Sequence, residues 1–443
     1  MTMWPGEGAI SRERLTTAKA VLIGVIAVTS VFPILFVQPE DAALHVNVYK
    51  YLAKTGAFVG SMLLIWQFFL GFRGAVSSIL PDLTWVVELH KKVGQYGVLV
   101  ILLHPVFLAL YYLELEGVNI YSLDLGQDFS QLVLLGMVLL GLIAFISISS
   151  AFFRGRLGFY RWLYTHLSSY LVPPFLLIHS FALGQTIQGT GLRYYWWFLT
   201  AAMVAFSLHR IAHALGARAE RYRVVRTRVV AESTTEIRME PQGRGLRPAP
   251  GQFIYLRGAI AENSHPYTVS AFDEESGTLG VTVKEEGSQS ARLQRSQEGD
   301  TLLLDGPYGV FTRVSLSTEL PLVMIAGGIG ITPFRRVWQR LERERGREAH
   351  LVYGNETYSE IAYRDELDAL EHVHVVHVLN DEPDFPGEKG LVTVNVLRRN
   401  VPQELASYQF LICGPPVMIV TLEEALIEEG VPSNQVSHEL FAS

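Results

Sequence analysis

The chain has 443 residues, a formal net charge of −7 and a single cysteine, Cys413, and at about 150 residues per domain it has room for roughly three units. One cysteine excludes an intramolecular disulfide and any cysteine-rich zinc or iron–sulfur site, and it is compatible with a reducing compartment. No basic cluster is present and the acidic residues are scattered, which excludes nucleic acid as a partner.

Up to about residue 215 the sequence is a series of long apolar runs, and beyond it charged residues appear at ordinary soluble density. Six membrane spans are expected at Ala18 to Val37, Val48 to Phe72, Glu88 to Leu113, Phe129 to Phe152, Phe159 to Leu183 and Tyr194 to His213. Each is near or above the roughly 20 residues that a bilayer core requires. The first run follows Arg12 and Arg14 but is too long for a signal peptide and lacks a small-residue cleavage site, so it is expected to stay in the membrane. Arg73, Lys91, Lys92, Arg154, Arg156, Arg161, Arg210, Arg218 and Arg221 fall on the side of the N-terminus and the soluble half. The opposite loops carry Glu40, Asp41, Glu114, Glu116, Asp124 and Asp128, with Arg193 their one basic residue. By the positive-inside rule this reads as a multi-pass protein of the cell (inner) membrane with both termini cytoplasmic.

Ionisable side chains within a span are costly and read first as functional. His90 and His104 lie in the third expected span, 14 residues apart, and His166 and His179 in the fifth, 13 apart. At about 1.5 Å per residue each pair is separated by roughly 20 Å, room for two stacked haems. The third and fifth spans run in the same direction, so His90 shares a depth with His166 and His104 with His179, an axial pair at each level. Thirteen residues at about 100° each carry His179 off the face of His166, and Pro173 and Pro174 are the expected correction. His209 and His213 read as an interfacial helix end, and His45 has no assigned role. The wording around the four intramembrane histidines, with Leu103-His104-Pro105 and Trp162 four residues before His166, resembles the ferric reductase and NADPH oxidase transmembrane domain over about residues 50 to 213. That resemblance implies two b-type haems held between the third and fifth helices.

From Tyr222 to about Phe311 short alternating segments separated by Gly, Pro and Ser turns predict a small antiparallel barrel. His265-Pro266-Tyr267-Thr268-Val269-Ser270 is similar to the flavin motif of the ferredoxin-reductase superfamily, and the histidine favours its NADPH oxidase branch. The resemblance implies that Tyr267 lies on the FAD ring and the Thr268 hydroxyl reaches its reactive nitrogen. Lys284, Gly287, Ser288 and Ser290 fall in the stretch that the family uses for the FAD pyrophosphate, and backbone amides beside a lysine suit an anion.

Leu322 to Ile325 is a buried-strand run that enters a glycine turn, with Gly327, Gly328, Gly330, Thr332 and Pro333, and then a charged helix. Such a strand, turn and helix N-terminus builds a dinucleotide pyrophosphate site. Cys413-Gly414-Pro415-Pro416-Val417-Met418 resembles the superfamily's Cys-Gly-Pro turn, which places Cys413, with Gly414, Pro415 and Met418, beside the nicotinamide. Phe441 is the candidate aromatic gate over the flavin. Glu356 after the second strand would repel a 2′-phosphate while Arg364 is within reach of one, so the reading leans to NADH or dual use with NADPH.

The expected fold is therefore a six-helix transmembrane haem domain (1–215), an antiparallel β-barrel FAD domain (216–318) and an α/β NAD(P)H domain (319–443). The expected function is transfer of electrons from cytoplasmic NAD(P)H through FAD and the two haems to an external small-molecule acceptor, oxygen giving superoxide. Its alternatives are a ferric-chelate reductase and a membrane redox subunit serving a periplasmic protein partner. A membrane anchor with a degenerate reductase is opposed by the intact flavin and nicotinamide motifs.

Overall fold

A computed structural model of the chain describes residues 12–77, 80–260, 262–312, 316 and 318–439; the proposed gate Phe441 lies outside them. The chain divides into two compact units, Thr16–Ile211 and one containing Ala212–Ser443.

Among the described residues five helices are long and apolar enough to cross a membrane: Glu13–Phe36, Leu44–Leu70, Leu83–Glu116, Asp128–Leu157 and Arg161–Leu183. The sixth expected span forms a helix, Leu192–Ala214, of 23 residues, enough for a core of about 30 Å. Its Tyr194, Tyr195, Trp196, Trp197, His209 and Arg210 make it less apolar than the other five. Phe58, Met62, Ile65, Leu176, Leu177, Leu192 and Trp196 pack at the centre of the first unit, while Leu99, Phe145 and Phe198 are exposed, as lipid-facing side chains are.

Neither of the two spans that carry the histidine pairs is uniform. The third span breaks at Leu102 between Leu83–Ile101 and Leu103–Glu116. The fifth runs as Phe159–Leu167, a 3₁₀ turn at Ser168–Leu171, and Val172–Leu183. Ideal α geometry would leave His179 about 140° from the face of His166, and four residues at about 120° recover roughly 80° of that. Pro173 and Pro174 open the last segment directly after this turn, and without N–H groups they cannot donate to the carbonyls of Ser169 and Tyr170 four residues before them. Glycines bring the second span onto the third: a Cβ at Gly56 would lie 2.3 Å from the His104 backbone nitrogen, and one at Gly60 2.8 Å from Ile101 Cα.

In the second unit, strands β1 (Glu220–Ala231), β2 (Thr234–Pro241), β3 (Phe253–Arg257), β4 (His265–Phe272), β5 (Leu279–Lys284) and β6 (Thr301–Tyr308) close into a barrel ordered β1-β2-β5-β4-β3-β6. Tyr222, Val224, Ile237, Met239, Ile254, Val269, Val281, Val283 and Leu304 fill its interior. A parallel sheet follows, built of β7 (Leu322–Gly327), β8 (Ala349–Asn355), β9 (Val373–Leu379), β10 (Glu388–Lys389), β11 (Gln409–Cys413) and β12 (Val436–Glu439), ordered β10-β9-β8-β7-β11-β12. Its central strands β7, β8 and β11 are buried on both faces, which is why they read as largely apolar runs. Chain order reverses between β7 and β11, and ligands of open α/β sheets bind at such a switch point.

Candidate active site: a nicotinamide–flavin centre and two histidine pairs

Both glycine-containing turns lie at the switch point. β7 and β11 pair in register, Ala326 with Cys413, so the turns that follow them are neighbours. Gly328 adopts φ +52°, a conformation that glycine enters without strain. A Cβ at Gly330 would stand 2.2 Å from the Cys413 carbonyl oxygen, one at Gly327 2.8 Å from Pro415, and one at Gly414 2.5 Å from Met418. Any side chain there would push the turns apart, so the glycines make the close approach possible. Thr332 donates to the Ile329 carbonyl at 3.0 Å, and Thr332 and Pro333 are buried beneath the turn.

Cys413 is fully buried, and burial, with Glu439 adding its charge, raises the thiol well above its ordinary value. It stays protonated, a neutral wall and not a nucleophile. Glu439 is the β12 register partner of Cys413 and is itself buried. Sequence reasoning passed over it because a carboxylate in a short terminal strand carries no pattern of its own.

On the flavin side, β4 carries His265 to Ser270. Val269 faces the barrel core, which puts Thr268 and Ser270 on the outer face. The Thr268 hydroxyl is buried without a hydrogen-bond partner among the described residues, as a group awaiting a ligand atom would be. Burial, with the Glu286 charge adding to it, pushes the Tyr267 hydroxyl up to about 12, and burial lowers His265, so both are neutral at pH 7. Beyond β5, the backbone amides of Glu286 and Gly287 donate to Ser290 Oγ at 2.9 and 3.0 Å. Gly287 borders open space, Ser288 begins the next helix, and Lys284 lies 3.6 Å from Glu360. The lysine and the open space at Gly287 fit the phosphates of FAD, with the two amides holding Ser290 in place beside them.

At the end of β8, the Glu356 carbonyl accepts from the Asp381 amide at 2.8 Å, and Glu382 accepts from the Tyr358 amide at 3.1 Å. Arg364 is engaged elsewhere, over the Tyr358 ring at 4.5 Å and 4.0 Å from Asp365.

In the helical unit the histidines come together in the expected pairs. His90 and His166 have ring centroids 6.2 Å apart; two imidazoles on opposite sides of one metal, with bonds of about 2 Å, stand about 6 Å apart. His104 and His179 line one cavity with Lys54, Phe58, Pro105 and Trp196. In every case Nδ1 is the anchored nitrogen: His90 to the Gln67 carbonyl at 3.0 Å, His104 to Ala53 at 3.3 Å, His179 to Leu132 at 2.9 Å, and His166 to Ser150 Oγ at 3.4 Å. A bonded Nδ1 leaves Nε2 as the nitrogen with a lone pair to offer a metal, and it would let each imidazole hold a haem iron. Gly136 is equally specific, since a Cβ there would meet the His179 ring at 2.5 Å. Trp162 stacks on His166 at 5.2 Å and donates to Ser150 Oγ at 3.2 Å. The donor set fits b-type haem at both levels. Ser150 and Gly136 were missed in the sequence, where small residues in a span suggest only helix packing.

The remaining histidines are held structurally. His209 packs on Phe72 at 5.5 Å, His213 lies 3.1 Å from Asp305, and His45 lies 3.6 Å from Glu114.

A flavin-type barrel, a nicotinamide-type sheet and apolar helices define a membrane-spanning NAD(P)H- and FAD-dependent oxidoreductase. Residues 56–177 match the ferric reductase like transmembrane component, 202–312 the oxidoreductase FAD-binding domain and 324–424 the oxidoreductase NAD-binding domain. Together the three matches give the chain the ferric reductase/NADPH oxidase-like architecture, in which this membrane component is joined to FAD- and NAD-binding domains of the ferredoxin-NADP reductase type. Over 43% of its length it is 29% identical to NADH-cytochrome b5 reductase 1 of Debaryomyces hansenii, covering 72% of that protein. Over 41% it is 32% identical to the protein of the same name from Meyerozyma guilliermondii, covering 68%. The cytochrome b5 reductase domain of Ulva prolifera nitrate reductase aligns over 51% of this chain and 98% of its own, at 21% identity and a TM-score of 0.46.

Proposed function

We propose that the chain carries electrons across the cell membrane from cytoplasmic NAD(P)H to oxygen outside, giving superoxide, with FAD and two b-type haems as its carriers and domains at 1–215, 216–318 and 319–443. The observation that supports this reading is the double histidine pair: two sets of imidazoles, each ring held at Nδ1 so that Nε2 is left to bind a metal. FAD, when bound, accepts a hydride and returns electrons singly, the conversion that a one-electron haem chain requires. Cys413, Gly414, Pro415 and Met418 would shape the nicotinamide side of the centre and Tyr267 and Thr268 the flavin side, and His90 with His166 and His104 with His179 would hold the two haems. Phe441 is proposed to cover the flavin until nicotinamide displaces it. Glu356, with Asp381 and Glu382 near it, favours NADH over NADPH by charge.

A second reading, reduction of a ferric chelate, is favoured by the match to the ferric reductase like component. Delivery to a periplasmic redox protein is the remaining outcome, and its mark is turnover only after that partner is added. The deciding experiment is the purified full chain in proteoliposomes with haem quantified from reduced-minus-oxidised spectra. Two haems per chain are expected, falling to one in His90→Ala and in His104→Ala; a wild type holding fewer than two would sink the histidine assignment. In the same vesicles, superoxide dismutase-sensitive reduction of a dye is expected under oxygen. Turnover only with ferric chelate would replace oxygen as the acceptor.

A further inference from the structure

The outer face of the FAD barrel bears a polar socket that no flavin role explains. Ile237 and Met239 of β2 point into the barrel core, so Glu236 faces outward, where a carboxylate ordinarily meets water. It is nevertheless only 3% exposed. Ser270 of β4 and Thr282 of β5 lie buried on the same face, and Thr282 is the register partner of Glu236.

The nicotinamide half fills this socket. Arg335 opens the helix that follows the pyrophosphate turn. Its guanidinium pairs with Glu236 and reaches Glu366 through two further nitrogens at 3.0 and 2.9 Å. Trp338 and Gln339 also donate to Glu366, at 3.1 and 2.7 Å. The guanidinium stands 4.1 Å over the ring of Tyr363. The Tyr363 hydroxyl bonds to Thr282, which bonds to Ser270 at 2.8 Å, two residues along β4 from Thr268. Tyr363 holds φ +61°, a left-handed conformation that bulky residues avoid, and here it accompanies a buried hydroxyl bonded to the barrel.

A buried ion set adds little net stability, because desolvation offsets its attraction, but it admits few geometries. We infer that Arg335, Glu236, Glu366 and Tyr363 are positioning residues that fix the nicotinamide turn against the flavin strand, so that hydride donor and acceptor meet at one distance. In that step NADH gives up a hydride and becomes NAD⁺ while FAD takes it up. Misplacement by about 1 Å can cost on the order of a hundredfold in rate.

The inference rests on the NAD(P)H-to-FAD reading, and anaerobic stopped-flow reduction of FAD in the full-length chain separates the two. If the FAD-loaded wild type is not reduced by NADH, the underlying reading fails. If it is, Arg335→Met is expected to slow reduction at saturating NADH about tenfold or more, with FAD content and NADH affinity unchanged. The primary isotope effect with 4-deuterated NADH is expected to rise, and Arg335→Lys to recover part of the rate. Tyr363→Phe removes one hydroxyl and keeps the packing, so it decides the matter where Arg335→Met does not fold, with an expected loss of about threefold. Wild-type rates and isotope effects in the folded variants would overturn the inference, as would a rate that falls only in proportion to lost FAD.

Discussion

Cys413 sits at the C-terminal end of β11 with strands on both sides, and its chemistry follows from that enclosure. Burial and the neighbouring Glu439 favour the thiol over the thiolate, so its proton is held more tightly in the folded chain than in the unfolded one. An ordinary thiol ionises near about 8.5. The contribution to stability is therefore complete below that pH and is lost as pH climbs toward the higher folded value, because only the unfolded chain gives up its proton in between. As Cys413 is the single cysteine, thiol titration reads it alone. The folded chain is expected to react with an aromatic disulfide reagent at least tenfold more slowly than the denatured chain at pH 7 and at pH 9. A fast folded-state reaction at pH 7 would mean that the side chain is an accessible thiolate.

At the scale of helices and strands, the histidine pairs depend on departures from regularity. π segments occur at Gly56–Gly60, against the backbone of His104, and at Ser149–Phe153, which includes the anchor of His166, and such segments gather at functional sites. Gly136→Ala would place a methyl 2.5 Å from the His179 ring. It is expected to lower haem from two per chain to one while FAD content holds, measured from the haem-to-flavin absorbance ratio; two retained haems would show that His179 can move aside at no cost. Apolar runs, alternating barrel strands and the two glycine turns were legible in the sequence, because each is a local pattern of period or composition. Of the 3₁₀ turn at Ser168–Leu171 only the two prolines that follow it were legible, since Ser-Ser-Tyr-Leu by itself continues a helix equally well. Nor was the burial of Glu236, which in β2 reads as an ordinary outward charge until Arg335, 99 positions away, covers it.

For the whole molecule, the count of crossings decides which faces the ends of the chain occupy. Among the described residues five helices meet the demands of length and apolarity, and Leu192–Ala214 meets that of length. If it crosses, an N-terminal tag lies on the side where NADH is oxidised; if it does not, the two lie on opposite sides. In sealed vesicles that oxidise added NADH, external protease is expected to remove the tag, and a protected tag would reduce the crossings to five. The way the histidines are tethered also bears on how freely the protein can change over generations. Three of the four tethers are main-chain carbonyls, at Gln67, Ala53 and Leu132, which every amino acid supplies. Those sites can drift in sequence without releasing their imidazoles. The ring of His166 hangs on a serine hydroxyl, so position 150 is where a single base change can loosen an imidazole that itself remains intact.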